Sequence, residues 1–387
     1  MLSRAESDGG LILAASPDTK KDYGVKLGTR KYELTPQMDI ELVAPHMGLY
    51  IEQNYRINQI FRQFTDDAHH YVYSVDEAFI DVTHSHSLFG DNHEIATKIQ
   101  HKVANEVGIV TSVGIGPNPL MAKLALDNGA KEADPWIAEW HYQDVPNKVW
   151  SIDKLTDFWS IGTRTAAKLE HMGIHTIGQL AHTNRQKLHA QFGVMGDAMY
   201  FHAWGIDYSD LAKQYVPREA NKGYGNDQVL MRDYVTREEI ETVLFETADQ
   251  VGARLRSHRV LGEVVSISVG FAHPDEQGRR GWHTQTQIDP TNQTAHLIRA
   301  VRYLFEKKWT GNALRNVGVR VNRISHETSF QTSLFDTVED READWRLEHT
   351  IDQIRSRYGY QAIVRGYSKT AAGTAIERSK LLGGHQA

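Results

Sequence analysis

Two adjacent carboxylates, Asp76 and Glu77, are the residues whose types and spacing most directly suggest chemistry in this sequence. They interrupt the stretch YVYSVDEAFIDVT at 71–83, whose aromatic and β-branched residues predict two strands joined by a tight connection. Adjacent side chains on a flat strand point to opposite faces, so neighbouring carboxylates share a site only where the strand ends or turns. Carboxylate oxygens suit Mg²⁺, and in-line phosphoryl transfer can use two such ions. The pair is a candidate magnesium site, although the dipeptide alone is more typical of an ordinary surface turn.

The composition limits the classes of protein to which the chain can belong. Its 387 residues, 40% hydrophobic and 24% charged, are typical of globular protein and sufficient for two to four domains. No apolar run approaches the roughly 20 residues that span a bilayer, and the first ten residues lack the apolar core of a signal peptide, so we expect a cytoplasmic protein without a membrane partner. The absence of cysteine excludes disulfides, thiolate zinc sites and cysteine nucleophiles. With a net charge of −6, contact with nucleic acid requires a local basic patch, and residues 218–325 carry 16 Lys/Arg against 13 Asp/Glu.

The elements that must position the carboxylates form a mixed α and β pattern. Residues 11–15 (LILAA) predict a short buried strand, and the helix-like segment after it ends at Gly24, which suits a left-handed helix stop. Apolar residues then recur at three- and four-residue intervals over 47–64, which predicts an amphipathic helix. Asp91 and Glu94 form a capping-box pattern before another helix, and a further strand follows. The region predicts an α+β sheet with helices on one face.

The remainder of the chain divides into three parts. The pattern is helical with short glycine turns from 150 to about 215. Between 220 and 325 it returns to α/β, with strand-like runs at 263–272 and 314–324 around a helix-like run at 295–309. The last 60 residues hold short motifs on a polar background, which predicts a tail or linker with docking segments.

Residues 73–79 follow the pattern aromatic-Ser-apolar-Asp-Glu-small-aromatic and continue as Ile-Asp-Val-Thr. In this motif the sequence resembles the Y-family (UmuC-like) translesion DNA polymerases of Gram-positive type, and the resemblance covers essentially the whole chain. It implies an α+β multidomain fold, a right-hand polymerase with palm, fingers, a helical thumb containing a helix-hairpin-helix, and an α/β little-finger domain. The implied parts are fingers at 1–48, palm at 49–148, thumb at 149–216, little finger at 220–326 and a C-terminal tail with a clamp-binding motif at 327–387.

The resemblance also implies roles for individual residues in the palm and fingers. Asp76 is expected to bridge two Mg²⁺ ions, and Glu77 to ligate the catalytic one. Lys21, in AASPDTKKDYGVKLG, and Lys131, at the end of VGIGPNPLMAKLALDNGAK, are expected to hold the triphosphate of the incoming dNTP. A lysine there offsets the negative charge that builds on the phosphates in the transition state. Lys123 is expected to support packing or backbone contacts instead.

A second resemblance in the same family order covers residues 159–177, which look like a helix-hairpin-helix. In such a motif a glycine turn opens a helix whose free backbone N–H groups bind a DNA phosphate without reading the base. The expected DNA contacts are Gly162, Thr163 and Arg164. Ser160 stands where the motif usually has its first glycine, and an ordinary helical hairpin remains the alternative.

The segment Gln331-Thr332-Ser333-Leu334-Phe335 resembles the pentapeptide by which bacterial polymerases dock onto the sliding clamp, the β subunit of the replicative polymerase. Leu334 and Phe335 are the expected apolar anchors, and Gln331 is the expected polar register residue. A small number of anchor residues can supply most of the binding energy of such an interface. A loop packed onto the protein's own core is the alternative. The closing stretch at 374–385 resembles the tail of Gram-positive UmuC-like proteins.

One departure from the family pattern bears on activity. In the family a first palm strand, with an aspartate and an aromatic pair, precedes the finger segment, but only ten residues precede residue 11 here. We therefore expect a chain truncated at its N-terminus, with two of three acidic ligands, that binds DNA and does not polymerise alone. A gene start placed downstream of the true one is the simplest explanation of such a truncation, and a real truncation or a decayed gene is the alternative.

The function implied is low-fidelity, template-directed DNA synthesis past damaged bases, as part of DNA repair and the SOS response. The implied partners are primer-template DNA, dNTP and the sliding clamp, and the implied state is a monomer. Two alternatives remain open: a non-catalytic protein that binds damaged DNA and the clamp, and a DNA repair nuclease with a helix-hairpin-helix. The 20 histidines suggest metal binding only weakly, because those at 69–70 and 84–86 lie in polar, turn-like stretches.

Overall fold

A computed structural model describes residues 10–213, 223–326, 338–382 and 385–386. The chain forms two compact units, one of residues Gly48–Tyr215 and one that combines Met1–Met47 with Val216–Ala387. Within the described residues, no helix combines the length and the apolar character needed to cross a membrane.

The α-helices of the described residues are α1 Pro17–Tyr23, α2 Met47–Phe61, α3 His86–Phe89, α4 Asn92–Val107, α5 Pro119–Ala125, α6 Thr163–His171, α7 Ile177–His182, α8 Arg185–Phe192, α9 Val194–Ala203, α10 Arg237–Ser257, α11 Thr294–Lys308, α12 Val338–Tyr358 and α13 Ala375–Arg378. The strands are β1 His70–Val72, β2 Ala78–Ile80, β3 Val113–Ile115, β4 Ile137–Glu139, β5 Tyr224–Tyr234, β6 Val260–Phe271, β7 Gly281–Thr291, β8 Leu314–His326, β9 Leu381–Leu382 and β10 His385–Gln386.

In the unit Gly48–Tyr215, short strands are held by helices on their flanks. β1 and β2 pair antiparallel as the predicted hairpin, and β3 pairs parallel with β4. The predicted capping box is present at the start of α4, where Asp91 accepts from the backbone N–H of Glu94 and Glu94 accepts from that of Asp91. α5 packs tightly on β3, since a Cβ on Gly114 would come within 2.1 Å of the Ala122 carbonyl oxygen. This close contact fixes the position of the side chains on α5.

The other unit is dominated by an antiparallel sheet with strand order β5-β8-β6-β7. Residues of α10 and α11 form one core with the inward side chains of the sheet, including Val265 and Ile267 of β6 and Phe305 of α11. The strands predicted at 263–272 and 314–324 and the helix predicted at 295–309 are therefore confirmed, as β6, β8 and α11.

Over residues 342–381 the C-terminal segment is not the polar tail that the sequence predicts. Arg355 on α12 and Arg365 beyond it both bind the fully buried carboxylate of Asp249 on α10. Farther along, the backbone N–H groups of Thr374 and Ala375 donate to the buried carboxylate of Glu246 at 2.9 and 3.1 Å. The polar residues that suggested a tail are thus the partners of charges buried on α10.

The strand predicted at 11–15 is also wrong. Leu11 forms an isolated bridge with Arg30, and Ile12 exchanges backbone hydrogen bonds with Thr29 and Gly28. The buried side chains of Ile12 and Val25 form a small cluster of their own. The pairing of residues 10–12 with residues 28–31 amounts to an isolated bridge, and no named strand covers residues 11–15. The predicted helix stop at Gly24 is confirmed, with φ of 66° and ψ of 13°.

Candidate catalytic hairpin and nucleic-acid interface

The tip of the β1–β2 hairpin, residues 73–77, carries the two adjacent carboxylates. The backbone N–H groups of Tyr73 and Ser74 both donate to the Glu77 carbonyl at 3.0 Å, which closes the turn. Asn54 on α2 donates from its side-chain amide to the Val75 carbonyl at 2.9 Å and ties the turn to that helix. The hairpin therefore ends the strand at the point where neighbouring side chains are no longer forced to opposite faces.

Asp76 is exposed at this tip and is oriented locally. Its Oδ1 accepts a hydrogen bond from the Ser74 hydroxyl at 2.5 Å, and its backbone N–H donates to the same hydroxyl at 3.3 Å. Its other carboxylate oxygen receives no such bond from the Ser74 hydroxyl, so it is available to a ligand from solvent.

Glu77 lies in an alternating line of charges that sequence reasoning did not find. Lys123 on α5 donates from Nζ to Glu77 Oε1 at 2.5 Å and reaches Asp127 Oδ2 at 3.0 Å. Asp127 Oδ1 in turn accepts from Lys131 at 2.8 Å. The ion pair of Lys123 with a candidate metal ligand corrects the expectation that this lysine supports packing or backbone contacts. The spacing Lys-x₃-Asp-x₃-Lys, which places the three on one helical face, was the available signal.

Neighbouring charges fix the ionisation of this line. Burial on its own would raise the pKa of Asp127, but hydrogen bonds from Lys131 and Lys123 outweigh it and hold the pKa below its ordinary value. Burial would likewise lower the pKa of Lys123, and hydrogen bonds to Glu77 and Asp127 raise it instead. Asp127 is therefore a carboxylate and Lys123 an ammonium ion at neutral pH.

The donor set at the hairpin suits one hard divalent cation. Asp76 and Glu77 supply carboxylate oxygens, and Mg²⁺ is typically bound by one or two carboxylates with water and substrate phosphates completing the shell. Across the part of the chain that the structure describes, no group of three or more His, Asp and Glu side chains could hold a metal ion. A second ion therefore requires ligands beyond these two residues, such as the oxygens of a bound triphosphate.

The helix-hairpin-helix segment forms two helices, α6 and α7, joined by a turn in which Gly173 has φ of 78°. Gly162 is the N-cap of α6 and provides no side-chain cap, and Thr163 and Arg164 follow it in exposed positions. A Cβ on Gly162 would meet no atom within 4 Å. The chain itself therefore does not require glycine here, and a bare backbone leaves room for an external group to approach the free N–H groups of α6.

Ser160, at the position where the motif usually has glycine, adopts a left-handed backbone with φ of 77°. A Cβ is disfavoured in that region by roughly 1–2 kcal/mol, whereas glycine has no such penalty. We expect Ser160→Gly to raise the free energy of unfolding by about 0.5–1 kcal/mol, after the greater freedom of glycine in the unfolded chain is deducted. Urea denaturation of the two proteins measures the difference.

A matched control for that replacement is Ser209→Gly, which is exposed and does not have a positive φ. It should lower stability by a few tenths of a kcal/mol to about 1 kcal/mol through the unfolded state alone. Equal losses in both variants would show that the backbone at Ser160 is unstrained.

An aromatic cluster links the β1–β2 hairpin to the start of this motif. The Trp159 indole N–H donates to the Tyr73 hydroxyl at 3.3 Å, and the two rings meet edge to face with centroids 5.9 Å apart. Phe79 on β2 completes the cluster, 5.7 Å from Tyr73 and 6.1 Å from Trp159. Aromatic pairs of this geometry stabilise beyond the area that they bury.

We expect Trp159→Ala to loosen the hairpin tip and to lower the free energy of unfolding by about 2–3 kcal/mol, because it deletes a large, half-buried ring. Tyr73→Phe removes only the hydroxyl acceptor and should cost about 1 kcal/mol or less. Amide hydrogen exchange at Tyr73 and Ser74 reports the tip directly. Unchanged exchange in Trp159→Ala would mean that the cluster does not hold the hairpin.

An open cleft of about 1140 Å³ brings several of these residues to one surface. Tyr73, Asp127 and Lys131 line one part of it, and Trp159 and Gly162 line another. Lys131 and Gly162, predicted from separate motifs, thus border the same space within one compact unit.

The other candidate residues do not belong to the unit Gly48–Tyr215. Lys21 is exposed in the last turn of α1, in the unit that contains Met1–Met47. Gln331, Leu334 and Phe335 lie outside the described residues, so the clamp-binding motif stays a prediction.

Comparison with known proteins assigns the chain to a family. Residues 2–127 match the model of the impB/mucB/samB family, residues 221–334 match that family's C-terminal domain, and residues 156–207 match a model described as DNA polymerase-iota, thumb domain. The solved structure of a Y-family DNA polymerase chimera of Dbh and Dpo4 has the same fold, with a TM-score of 0.61 and 18% identity over 84% of this chain and 90% of that one.

Several curated relatives span nearly the full length. UvrX of Bacillus subtilis (strain 168), whose name refers to UV-damage repair, is 39% identical over 100% of this chain and 90% of its own length. DNA polymerase IV 2 of the same organism is 35% identical over 98% of this chain and 90% of its own length. DNA polymerase IV of Moorella thermoacetica is 36% identical over 94% and 88%. The chain belongs to the impB/mucB/samB family of UmuC-like, Y-family DNA polymerases, which are DNA-directed DNA polymerases of translesion synthesis and DNA repair.

Proposed function

We propose that, in the active form of the protein, the hairpin tip is the centre of Mg²⁺-dependent nucleotidyl transfer from a dNTP to a primer 3′-hydroxyl on a damaged template. The observation that carries the proposal is the adjacent pair Asp76 and Glu77 at a turn held by Asn54. Glu77 is connected through Lys123 and Asp127 to Lys131. That arrangement offers hard oxygen donors for a cation beside an ammonium group for phosphates.

The carboxylates and the lysines have separate roles in the proposed reaction. Asp76 and Glu77 would hold Mg²⁺, which when bound offsets charge on the reacting phosphate and favours ionisation of the primer hydroxyl. Lys131, exposed and held by Asp127, would offer its ammonium to the triphosphate, and the family resemblance implies a triphosphate contact for Lys21 on α1 as well. Each lysine stabilises negative charge that grows in the transition state.

DNA is bound chiefly through its phosphates in this proposal. Gly162, Thr163 and Arg164 supply backbone N–H groups and a guanidinium at the start of α6, and these contacts do not depend on base sequence. The unit with the antiparallel sheet acts as the little finger at 220–326 against backbone phosphates. The proposed parts are fingers at 1–48, palm at 49–148 and thumb at 149–216, in a cytoplasmic monomer that docks onto the sliding clamp through residues 331–335.

A second candidate is a non-catalytic protein that binds damaged DNA and the clamp. It is favoured by one observation: within the described ranges, no third His, Asp or Glu joins the hairpin carboxylates in a metal-binding group. It shares every DNA contact of the first proposal and differs only in lacking chemistry.

The test is primer extension by the purified chain on undamaged and abasic templates, with Mg²⁺ or with EDTA, alongside DNA affinity measured by fluorescence anisotropy. Extension that requires Mg²⁺ and passes the abasic site supports the proposal. Binding without extension on either template favours the non-catalytic candidate. Absence of DNA binding overturns both, and cleavage of the labelled strand would indicate a nuclease.

A further inference from the structure

Lys123 stands between the proposed metal site and the triphosphate-binding lysine, and its surroundings differ from those of a substrate-binding group. Its side chain is 10% exposed, against 57% for Lys131. Its ammonium bridges Glu77 Oε1 at 2.5 Å and Asp127 Oδ2 at 3.0 Å. A positive charge therefore already occupies one oxygen of a carboxylate that the proposed function assigns to a divalent cation.

The position of this ammonium is fixed by the helix that carries it. α5 lies directly on β3, where a Cβ on Gly114 or Gly116 would collide with the backbone of the helix. Asp127 follows Lys123 by one helical turn, so it remains within reach of the ammonium whether or not Glu77 is bound elsewhere. Lys123 can thus release Glu77 without losing its second carboxylate partner.

We infer that Lys123 is a built-in counter-ion that competes with the divalent cation for Glu77 and keeps the site weak toward free metal ions. The inference rests on the proposed assignment of Asp76 and Glu77 as metal ligands. A cation that arrives must separate Glu77 from Lys123 and then bind beside a retained positive charge. Metal that arrives with a triphosphate meets less repulsion, because the phosphates bring negative charge to the same place.

The probe is Mn²⁺ alone, without DNA or nucleotide, with bound and free ion separated by electron paramagnetic resonance. We expect Lys123→Met to bind Mn²⁺ about tenfold more tightly than the wild type, since it removes a nearby positive charge. Lys131→Met, which also loses a partner of Asp127 but does not touch Glu77, should change the affinity less than twofold. Lys123→Arg keeps the charge and should match the wild type.

Circular dichroism checks folding of each variant. Lys123→Gln, whose amide can still donate to Glu77, provides a second neutral variant and should show the same tightening if Lys123→Met fails to fold. One outcome is that Asp76→Asn abolishes Mn²⁺ binding while the neutral Lys123 variants bind Mn²⁺ as the wild type does. That outcome overturns the role of Lys123 as a counter-ion and supports the metal assignment. Equal tightening in Lys131→Met overturns it as well, because the effect is then general to any lost charge. No Mn²⁺ binding in any variant overturns both the counter-ion and the metal assignment.

Discussion

Replacing Asp249 by asparagine is expected to lower the free energy of unfolding of the sheet-containing unit by about 3–5 kcal/mol. Asp249 is fully buried on α10, and its two oxygens accept from Arg355 Nη1 at 2.7 Å and Arg365 Nε at 3.2 Å. Without Asp249 the buried guanidinium of Arg355 loses its carboxylate partner, whereas Arg365 keeps its ion pair with Glu348. An uncompensated buried charge costs far more than the loss of one hydrogen bond. Asparagine keeps the shape, so the loss measures the charge.

The replacement should act first on the C-terminal segment, because both arginines lie there. Limited proteolysis should cut between 342 and 381 sooner than in the wild type, and urea denaturation should give the change in free energy. Arg346→Gln is the matched control. Arg346 pairs with Glu342 on α12, the helix that carries Arg355, and this exposed ion pair should contribute less than about 1 kcal/mol to stability. A loss below 1 kcal/mol in Asp249→Asn would contradict the view that this carboxylate holds the segment in place.

This segment also shows why part of the fold was missed. The hairpin, the capping box at Asp91 and the helix stop at Gly24 are set by neighbouring residues, so a local pattern predicts each of them. Arg355 and Asp249 are 106 positions apart, and neither is unusual where it stands. A polar stretch whose charges pair with a distant buried helix cannot be distinguished from a tail by local hydrophobicity.

The same limit applies to the candidate site. The motif at 73–79 identified Asp76 and Glu77, and the helix-hairpin-helix pattern identified Gly162 and its neighbours. The contact between Lys123 and Glu77 joins residues 46 positions apart, and it depends on how closely α5 packs against β3. Sequence reasoning could place Lys123 on a helix but not above a particular carboxylate.

The sequence likewise indicates the strained backbone at Ser160 only in part. The family pattern marked the position as a usual glycine, and the positive φ there gives the physical reason. A resemblance can therefore indicate where a backbone is unusual before the geometry is known. It cannot indicate how a chain tolerates the unfavoured residue.

In a form of the protein that extends primers, replacing Asp76 by asparagine is expected to reduce extension on the order of 10³-fold, because it removes one of two carboxylates assigned to Mg²⁺. Stability and DNA affinity should change little. Asp76 is exposed, and its side chain is hydrogen-bonded to Ser74 alone among the contacts of the hairpin tip. Single-turnover extension, with template affinity and a urea curve measured on the same sample, checks all three.

Asp81→Asn provides the matched control, because Asp81 follows the same hairpin and its carboxylate accepts from the Thr83 N–H and hydroxyl instead of facing the tip. It should alter extension by less than tenfold. If Asp76→Asn extends primers within tenfold of the wild type, Asp76 is not a metal ligand. If the same variant loses much of its stability, Asp76 has a structural role. The same Asp-to-Asn change thus affects different properties at the two positions. At Asp249 it removes a buried charge that pairs with two arginines, so the free energy of unfolding falls. At Asp76 it removes an exposed charge assigned to the cation, so primer extension falls and stability changes little.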